Sequence, residues 1–318
     1  MGYSTGEFIM IDDFLIFNSK SLPFKNKDEF EKEIGQFFKL IRKLSLERHY
    51  VKLKTNIPLE SLKVFENLTF KEVLNKVDHD IKSLILSLIA NKIDVNIEIP
   101  IISEEEEKNL GLIEYKYNDE SNIEMGCVDL FNTFLISFKS SLEWESPKIN
   151  IKKYIFTEYE EIKELEVEIN NISKEEHLIF HKEILENRRY KIIKDLIDNF
   201  SENKVKYLKN KIIVNFEAEK MLIKLNKEVL EKAITVLYDL DIGNKKIEDY
   251  TYSNESETVR KNPILSEKRL FTFDNGSKDY AFNHIKNLPK GNRIYYLEKD
   301  EKIYICYIGP HLPTKNFK

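Results

Sequence analysis

The sequence is poor in cysteine, glycine and proline. Among 318 residues there are two cysteines (Cys127 and Cys306), nine glycines and eight prolines. Two cysteines are too few for a disulfide framework or a cysteine zinc site, so we expect a protein of a reducing, cytoplasmic compartment. The scarcity of glycine and proline argues against long structureless linkers. No run approaches the roughly 18 apolar residues that span a bilayer, so we expect no membrane partner.

Sequence signatures of several enzyme classes are also missing. There is no Gly-rich phosphate loop, dinucleotide fingerprint or Ser-His-Asp pattern, which leaves an ATPase, dehydrogenase or hydrolase without a supporting motif. His177 and His181 have the four-residue spacing of a zinc site, but Leu178 stands where the metalloprotease motif requires Glu. We therefore expect no metal and no cofactor.

The overall composition is that of a folded, soluble protein with an uneven charge distribution. Hydrophobic residues make up 42% and charged residues 33% of the chain, and this length predicts two or three domains. The net charge is −5, yet residues 245–318 contain fourteen Lys and Arg against ten Asp and Glu. A basic end on an acidic body favours an anionic partner for that end.

Strand-like and helical segments alternate over residues 1–155, which predicts an α/β N-terminal domain. The strand-like "FIMIDDFLIF" precedes an apolar stripe of helical period from Asp28 to Glu47. Thr69 and Glu72 form a capping-box pattern, so we predict a second helix from there to Ala90. Further strands are predicted at "HYVKLKTNI" and "VNIEIPII".

The first strand resembles that of PIN-type nucleases, in which clustered carboxylates bind Mg²⁺. Asp12, Asp13 and Asp129 match the carboxylates of that resemblance, and "DLFNTFLISF" is similar to its later helix and strand. Lys139 stands where the later acidic residue is expected. The resemblance therefore implies a degenerate, non-catalytic PIN-like domain.

The middle of the chain, residues 156–243, is predicted to be a helical section. Ser173 and Glu176 form a second capping-box pattern, and a helix from Phe216 to Leu240 would end at Gly243. Residues 244–262 are polar and without periodicity, which indicates a linker.

Residues 263–318 predict a small α+β C-terminal domain with an antiparallel sheet. The pattern is a strand at Arg269–Phe273, a short helix at Ser277–Lys286, and strands at Arg293–Leu297 and Lys302–Ile308. Simple alternation would place Ile303, Ile305 and Tyr307 on one face, opposite Tyr304, Cys306 and Ile308.

This closing stretch collects side chains that suit phosphodiester chemistry on RNA without a metal. His284 and His311 can transfer protons near neutral pH, and Arg293 offers a fixed fork for the scissile phosphate. Lys286 and Lys290 add positive charge for RNA phosphates. Tyr295 and Tyr307 are candidate RNA-binding aromatics on the same strands. Tyr and Ile are also common strand residues, and lysine-rich turns are common on surfaces.

The segment "KGNRIYYLEKDEKIYICYIGPHLPTKNF" resembles the C-terminal hairpin of the RelE/ParE toxin superfamily over about residues 269–318. The matching positions are Lys290, Gly291, Arg293, Ile308, Gly309 and, displaced by one residue, His311. The resemblance implies a small twisted sheet and, in the RelE branch, cleavage of mRNA on the ribosome. Leu312 stands where an Arg often follows the His, and Phe317 stands where Tyr is expected.

Two hypotheses follow from these patterns. The first is a toxin-like or antiviral defence effector of bacterial type, whose C-terminal domain cleaves RNA by acid/base catalysis under control of a regulatory partner or trigger. The second, implied by a ParE-like branch, is a non-catalytic interaction or regulatory subunit of a defence or toxin–antitoxin complex, in which the aromatic hairpin docks a protein by its edge.

Overall fold

The computed structural model describes residues 13–48, 50–90, 95–105, 113–156 and 162–314. The fold is mixed α/β, as the sequence predicts. The chain divides into two compact units, Met1–Arg188 and Arg189–Lys318. The sequence instead suggests boundaries near residues 155 and 243. The difference arises because residues on both sides of each suggested boundary share a hydrophobic core.

The N-terminal unit is built on an eight-stranded sheet with the order β5-β2-β1-β8-β10-β9-β6-β7. The strands from β5 to β10 in that order are parallel, and the last four pair antiparallel. Two further strands, β3 and β4, pair antiparallel and form a separate two-stranded sheet. The strand bounds are β1 Phe14–Phe17, β2 Lys52–Lys54, β3 Lys63–Phe65, β4 Leu68–Thr69, β5 Asn96–Glu98, β6 Ile113–Tyr117, β7 Glu120–Ser121, β8 Leu135–Ile136, β9 Lys148–Phe156 and β10 Ile162–Ile172.

Helices pack on both faces of the parallel part of this sheet. One core contains the apolar stripe of the first helix with Leu15, Phe17 and Leu53, and the second contains Phe14, Ile16 and Trp144. Successive residues of β1 are thus buried on opposite faces of the sheet, as expected for a strand between two layers. The helix bounds in this unit are α1 Lys27–Arg48, α2 His79–Ile89, α3 Ile123–Phe131 and α4 Glu176–Phe180, followed by α5 Lys182–Asp198, which contains the division between the units.

Two local predictions for the N-terminal unit need correction. The Thr69–Glu72 pattern forms its reciprocal hydrogen bonds but starts only a 3₁₀ turn, Glu72–Asn75. Helix α2 begins later, because the side chain of Asp78 accepts from the N–H of Ile81 and caps it. The predicted helical section also starts with the long strand β10, which pairs with β9 over nine residue pairs.

The C-terminal unit contains a five-stranded sheet with the order β11-β17-β16-β15-β12, and a separate hairpin formed by β13 and β14. β11 runs parallel to β17, and the other neighbours are antiparallel. The strand bounds are β11 Ile212–Val214, β12 Tyr252–Asn254, β13 Leu270–Thr272, β14 Lys278–Tyr280, β15 Asn283–Ile285, β16 Asn292–Lys299 and β17 Lys302–Pro310. The helices are α6 Phe200–Tyr207, α7 Phe216–Leu222, α8 Lys227–Asp241, α9 Glu257–Lys261 and α10 Pro263–Glu267.

The helical stripe of α8 and one face of the five-stranded sheet form the core of this unit. Val229, Leu237, Ile294 and Ile305 are all at most 1% exposed within this core. The suggested domain boundary at Gly243 therefore cuts through a shared core. Gly243 itself adopts a left-handed φ of +72° just beyond α8, as expected for a residue that ends a helix.

The structure also differs from the sequence predictions at three places in this unit. Residues 277–286, predicted as a short helix, form β14 and β15 instead. The predicted helix 216–240 is two helices, because Asn226 caps a new start at Lys227. The suggested linker 244–262 contains β12 and α9, so it belongs to the fold.

A β-bulge decides which aromatic residues share a face of the last hairpin. Tyr295 pairs with Tyr307, but Tyr296 pairs with Ile305, so Cys306 is the extra residue. Tyr307 consequently packs with Tyr295 and Cys306, whereas Ile308 joins Ile305 in the core. The predicted alternation of Tyr307 and Ile308 is therefore wrong, because it assumed an uninterrupted strand.

Among the described residues, no helix is long and apolar enough to cross a bilayer.

Candidate functional site: the outer face of the C-terminal sheet

The face of the five-stranded sheet that points away from α8 carries most of the sequence-predicted site residues. The register places His284 of β15 opposite Tyr295 of β16, and Tyr295 opposite Tyr307 of β17. These three rings form a row across the sheet, with centroid distances of 4.8 Å and 5.7 Å. His311 follows β17, and its ring lies perpendicular to that of His284 at 5.7 Å. The two histidines singled out from the sequence therefore lie close together.

His284 is buried and electrically neutral at pH 7. It is 3% exposed, and its Nε2 lies 3.0 Å from Oγ of Ser253. Its Nδ1 has no hydrogen-bond partner among the described residues. Burial lowers the pKa of His284 to about 4, although the charge of Glu255 acts in the opposite direction. At neutral pH this imidazole has no proton to give as an acid, and a pKa near 4 makes it a weak base.

Two of the three cations predicted to hold phosphate, Arg293 and Lys290, contact separate protein groups. The guanidinium of Arg293 is half-buried, and its Nη1 donates to the carbonyls of Lys286 and Asn292 at 3.3 and 3.1 Å. Lys290 is exposed and its Nζ lies 3.1 Å from a carboxylate oxygen of Glu228. Lys286 is half-buried at the end of β15.

The two predicted RNA-binding tyrosines differ in accessibility. Tyr295 is fully buried, and its hydroxyl donates to Oε1 of Glu255 at 3.1 Å, so its ring offers no open face on which a base could stack. Tyr307 is half-buried, and its hydroxyl donates to the carbonyl of Pro310. Its ring lies over Gly309, where an added Cβ would come within 2.9 Å of the hydroxyl oxygen.

A buried ion pair that no sequence pattern singled out lies against Tyr295 in this row of rings. Arg269 is fully buried, and its Nε and Nη2 both donate to Oε1 of Glu255 at 3.0 and 2.7 Å. Its remaining N–H groups donate to the carbonyls of Leu265, Leu312 and Pro313. Arg269 thus ties the segment after β12 and the C-terminal tail onto the sheet. Glu255 lay in the suggested linker, and Arg269 was expected only as a strand residue.

An open cleft lies on the same sheet face, between the β13–β14 hairpin and the outer strand β11. Its volume is about 310 Å³, at the lower end of the range for ligand pockets. Phe273 and Tyr304 form its aromatic part and meet edge to face at 5.5 Å. The other lining residues are Ile213, Asn215, Asp274, Asn275, Ser277, Lys278, Asp279, Leu297 and Lys299.

Of the suggested PIN-like carboxylates, Asp13 and Asp129 are described, and neither belongs to a group of three described His, Cys, Asp or Glu side chains that could hold a metal ion. Asp12 lies outside the described residues, and Asp13 precedes β1, at its amino end. Asp129 lies on α3 and pairs with Lys153 at 2.8 Å. At the carboxyl ends of β1, β8 and β10 lie the buried Asn18, Ser137 and Asn171, and one buried carboxylate, Glu124, which accepts from the N–H and the hydroxyl of Ser19. Asn18 donates to Oγ of Ser137, which in turn donates to Oδ1 of Asn171.

His177 and His181 are structural in this arrangement. The Nε2 atoms of the two rings lie 3.0 and 2.9 Å from the carbonyls of Glu145 and Pro147. Burial lowers the pKa of both. Within the part of the chain that the structure describes, no group of three His, Cys, Asp or Glu side chains could hold a metal ion.

Comparison with protein-family models, with curated proteins and with solved structures gave no match. The geometry of the C-terminal sheet is therefore the basis for a functional assignment.

Proposed function

We propose that the C-terminal unit is a non-catalytic interaction module that docks a protein partner beside its outer strand. The observation that carries this proposal is the contrast on one sheet face. His284 and Tyr295 in the row of rings are buried, whereas the neighbouring cleft is open. A binding role needs the cleft and a strand edge, and it does not need a titrating histidine.

The state of His284 supports this choice over acid/base catalysis. A proton-transfer pair needs one protonated and one free imidazole near the working pH, with both in reach of the substrate. His284 is 3% exposed and its pKa is lowered to about 4. Only His311, which is half-buried, would remain to carry both steps.

A second candidate function is metal-independent RNA cleavage by His284, His311 and Arg293 in a toxin-like or antiviral effector. The specific observation in its favour is the 5.7 Å separation of the two imidazole rings. The likeness of β16 and β17 to a RelE/ParE hairpin stays a prediction, as do a role in bacterial defence, a ribosomal RNA target and a regulatory partner. In this candidate Arg293 would hold phosphate only after leaving its carbonyl partners.

One experiment separates the two functions. Purified protein is incubated with total RNA and with a translation extract, and wild type is compared with His311→Ala and with Lys268→Ala. The interaction module predicts equal RNA survival in all three samples. Degradation by wild type that His311→Ala abolishes and Lys268→Ala retains would establish the nuclease and overturn our proposal. Lys268→Ala is the control, since this exposed lysine of the same unit is not among the predicted RNA-binding residues.

A further inference from the structure

The position of the cleft beside an edge strand suggests what kind of partner it accepts. β11 pairs with β17 on one side and has no other neighbour in its sheet among the described residues. On its other side the N–H of Ile212 donates to Asp241, so a strand from another protein can pair with the part of that side beyond this N–H. β11 is three residues long, so such pairing supplies only a few hydrogen bonds. A side chain anchored in the cleft must provide most of the binding energy.

The walls of the cleft favour an aromatic anchor. The side chain of Ile213 is 36% exposed on the edge strand, and it lines the cleft with Leu297, Phe273 and Tyr304. Aromatic rings bind well where other rings can meet them edge to face. A volume of about 310 Å³ accommodates one large side chain rather than an extended cofactor.

The fold fixes the hairpin wall of the cleft in place. Asn215 is 2% exposed; its Nδ2 donates to the carbonyl of Thr272 at 2.9 Å, and its Oδ1 caps α7 by accepting from the N–H of Ala218. The carboxylate of Asp274 accepts from the N–H of Phe216. These bonds hold the β13–β14 hairpin beside β11, so the cleft is present before a partner arrives.

The charges on the cleft are divided between its two ends. Lys299 belongs to the last residue pair before the β16–β17 turn, two residues beyond Leu297. Asp279 lies towards the opposite end, near Cys306, where its charge adds to burial in raising the pKa of that thiol. Asp274 lies at the start of α7, also away from the turn. Lys278 borders the cleft from the hairpin.

We propose that the cleft binds an extended segment of a partner protein that pairs with β11, seats an aromatic side chain against Phe273 and Tyr304, and carries a basic residue towards Asp274 and Asp279. Side chains two positions apart on a strand point the same way. An acidic residue two positions from the aromatic anchor, on the side opposite the basic residue, therefore lies towards Lys299. This inference rests on the proposed function and adds to it the site and the chemistry of the partner.

Blocked heptapeptides test the inference on the full-length protein. The probes are Thr-Lys-Thr-Tyr-Thr-Glu-Thr and Thr-Glu-Thr-Tyr-Thr-Lys-Thr, because a strand can add to β11 in either direction. Control peptides replace Tyr by Ala or carry N-methyl groups on alternate amides. Binding is followed by amide chemical shifts of deuterated protein. We expect one of the two orders to bind, with shifts at Ile213 and Tyr304 and about thirtyfold weaker binding when Tyr is replaced by Ala.

Two tryptophan substitutions on the same hairpin locate the binding. Ser277→Trp fills the cleft and should abolish binding. Thr272→Trp adds the same bulk at an exposed position that does not line the cleft, and it should bind as wild type does. Absence of saturable binding by every peptide, shifts confined to another surface, or equal binding by both variants would overturn the inference.

The RNA experiment distinguishes failure of this inference from failure of the proposed function. Intact RNA combined with no peptide binding would remove only the cleft as the docking site. RNA degradation that depends on His311 would remove the non-catalytic proposal, whatever the peptides do.

Discussion

Replacing Arg269 by methionine should greatly destabilise the C-terminal unit. Methionine keeps an unbranched apolar side chain but none of the five N–H donors, two of which bind Glu255. The carboxylate of Glu255, 7% exposed, would then be left with the hydroxyl of Tyr295. Removing one partner of a buried ion pair typically costs about 3–5 kcal/mol, which is a large share of the stability of an ordinary domain.

Hydrogen exchange measured by mass spectrometry on peptides from β15 to β17 reports this loss directly. Where exchange requires unfolding of the unit, 3–5 kcal/mol corresponds to an acceleration of roughly two to four orders of magnitude. Lys268→Met is the control, because this neighbouring lysine is exposed and its replacement should change exchange little. The double variant Arg269→Met with Glu255→Leu should be more stable than Arg269→Met alone, since it no longer buries an unpaired charge. An acceleration below tenfold for Arg269→Met would refute the reasoning.

Four further predictions concern two helical glycines, His284 and Asp241. Gly126→Ala should lower the free energy of unfolding by about 1–3 kcal/mol, because its Cβ would lie 2.4 Å from the ring of Tyr115. Gly35→Ala should raise this free energy by about 0.5–1 kcal/mol, because its Cβ would have no atom within 4 Å. Both changes are measured by urea titration of Trp fluorescence. Because the folded-state pKa of His284 is depressed to about 4, stability should fall as the pH drops from about 6.5 to 4. In a pH series of urea midpoints, His284→Gln should make the midpoint depend less on pH in this range. The same dependence in wild type and variant would contradict this prediction. Asp241→Asn should accelerate exchange in β11 by at least about tenfold, because its buried carboxylate accepts from four successive backbone N–H groups before and at the start of that strand; exchange like that of wild type would show those bonds to be dispensable.

Local sequence patterns predicted the elements that depend on interactions between residues close in the chain. The stripes of α1 and α8 have the helical period, and their apolar residues are buried in the two cores. The last hairpin was predicted because two alternating segments flank a polar turn, in which Asp300 and Glu301 adopt left-handed φ angles of +51° and +61°. Its two strands are each longer than predicted, Asn292–Lys299 and Lys302–Pro310.

The mistaken elements are short or depend on distant partners. Residues 277–286 contain too few apolar positions to distinguish a helical from a strand period, and pairing of β15 with β12 and β16 decides the outcome. β10 was included in a helical section although "IKELEVEINNI" alternates. The bulge at Cys306 is a property of the strand pair, and it moved Tyr307 to the other face.

The hydrophobic pattern of the chain was enough to predict a mixed α/β fold, the main helices and the terminal hairpin. Short-range hydrogen bonding and hydrophobic period suffice for these features, because they act between residues close in the chain. Packing between distant segments brings His284 and His311 together and decides how far each ring meets water. Arg269 and Glu255, 14 positions apart in the chain, pair with each other in the interior. Burial leaves His284 neutral, while the cleft beside β11 stays open.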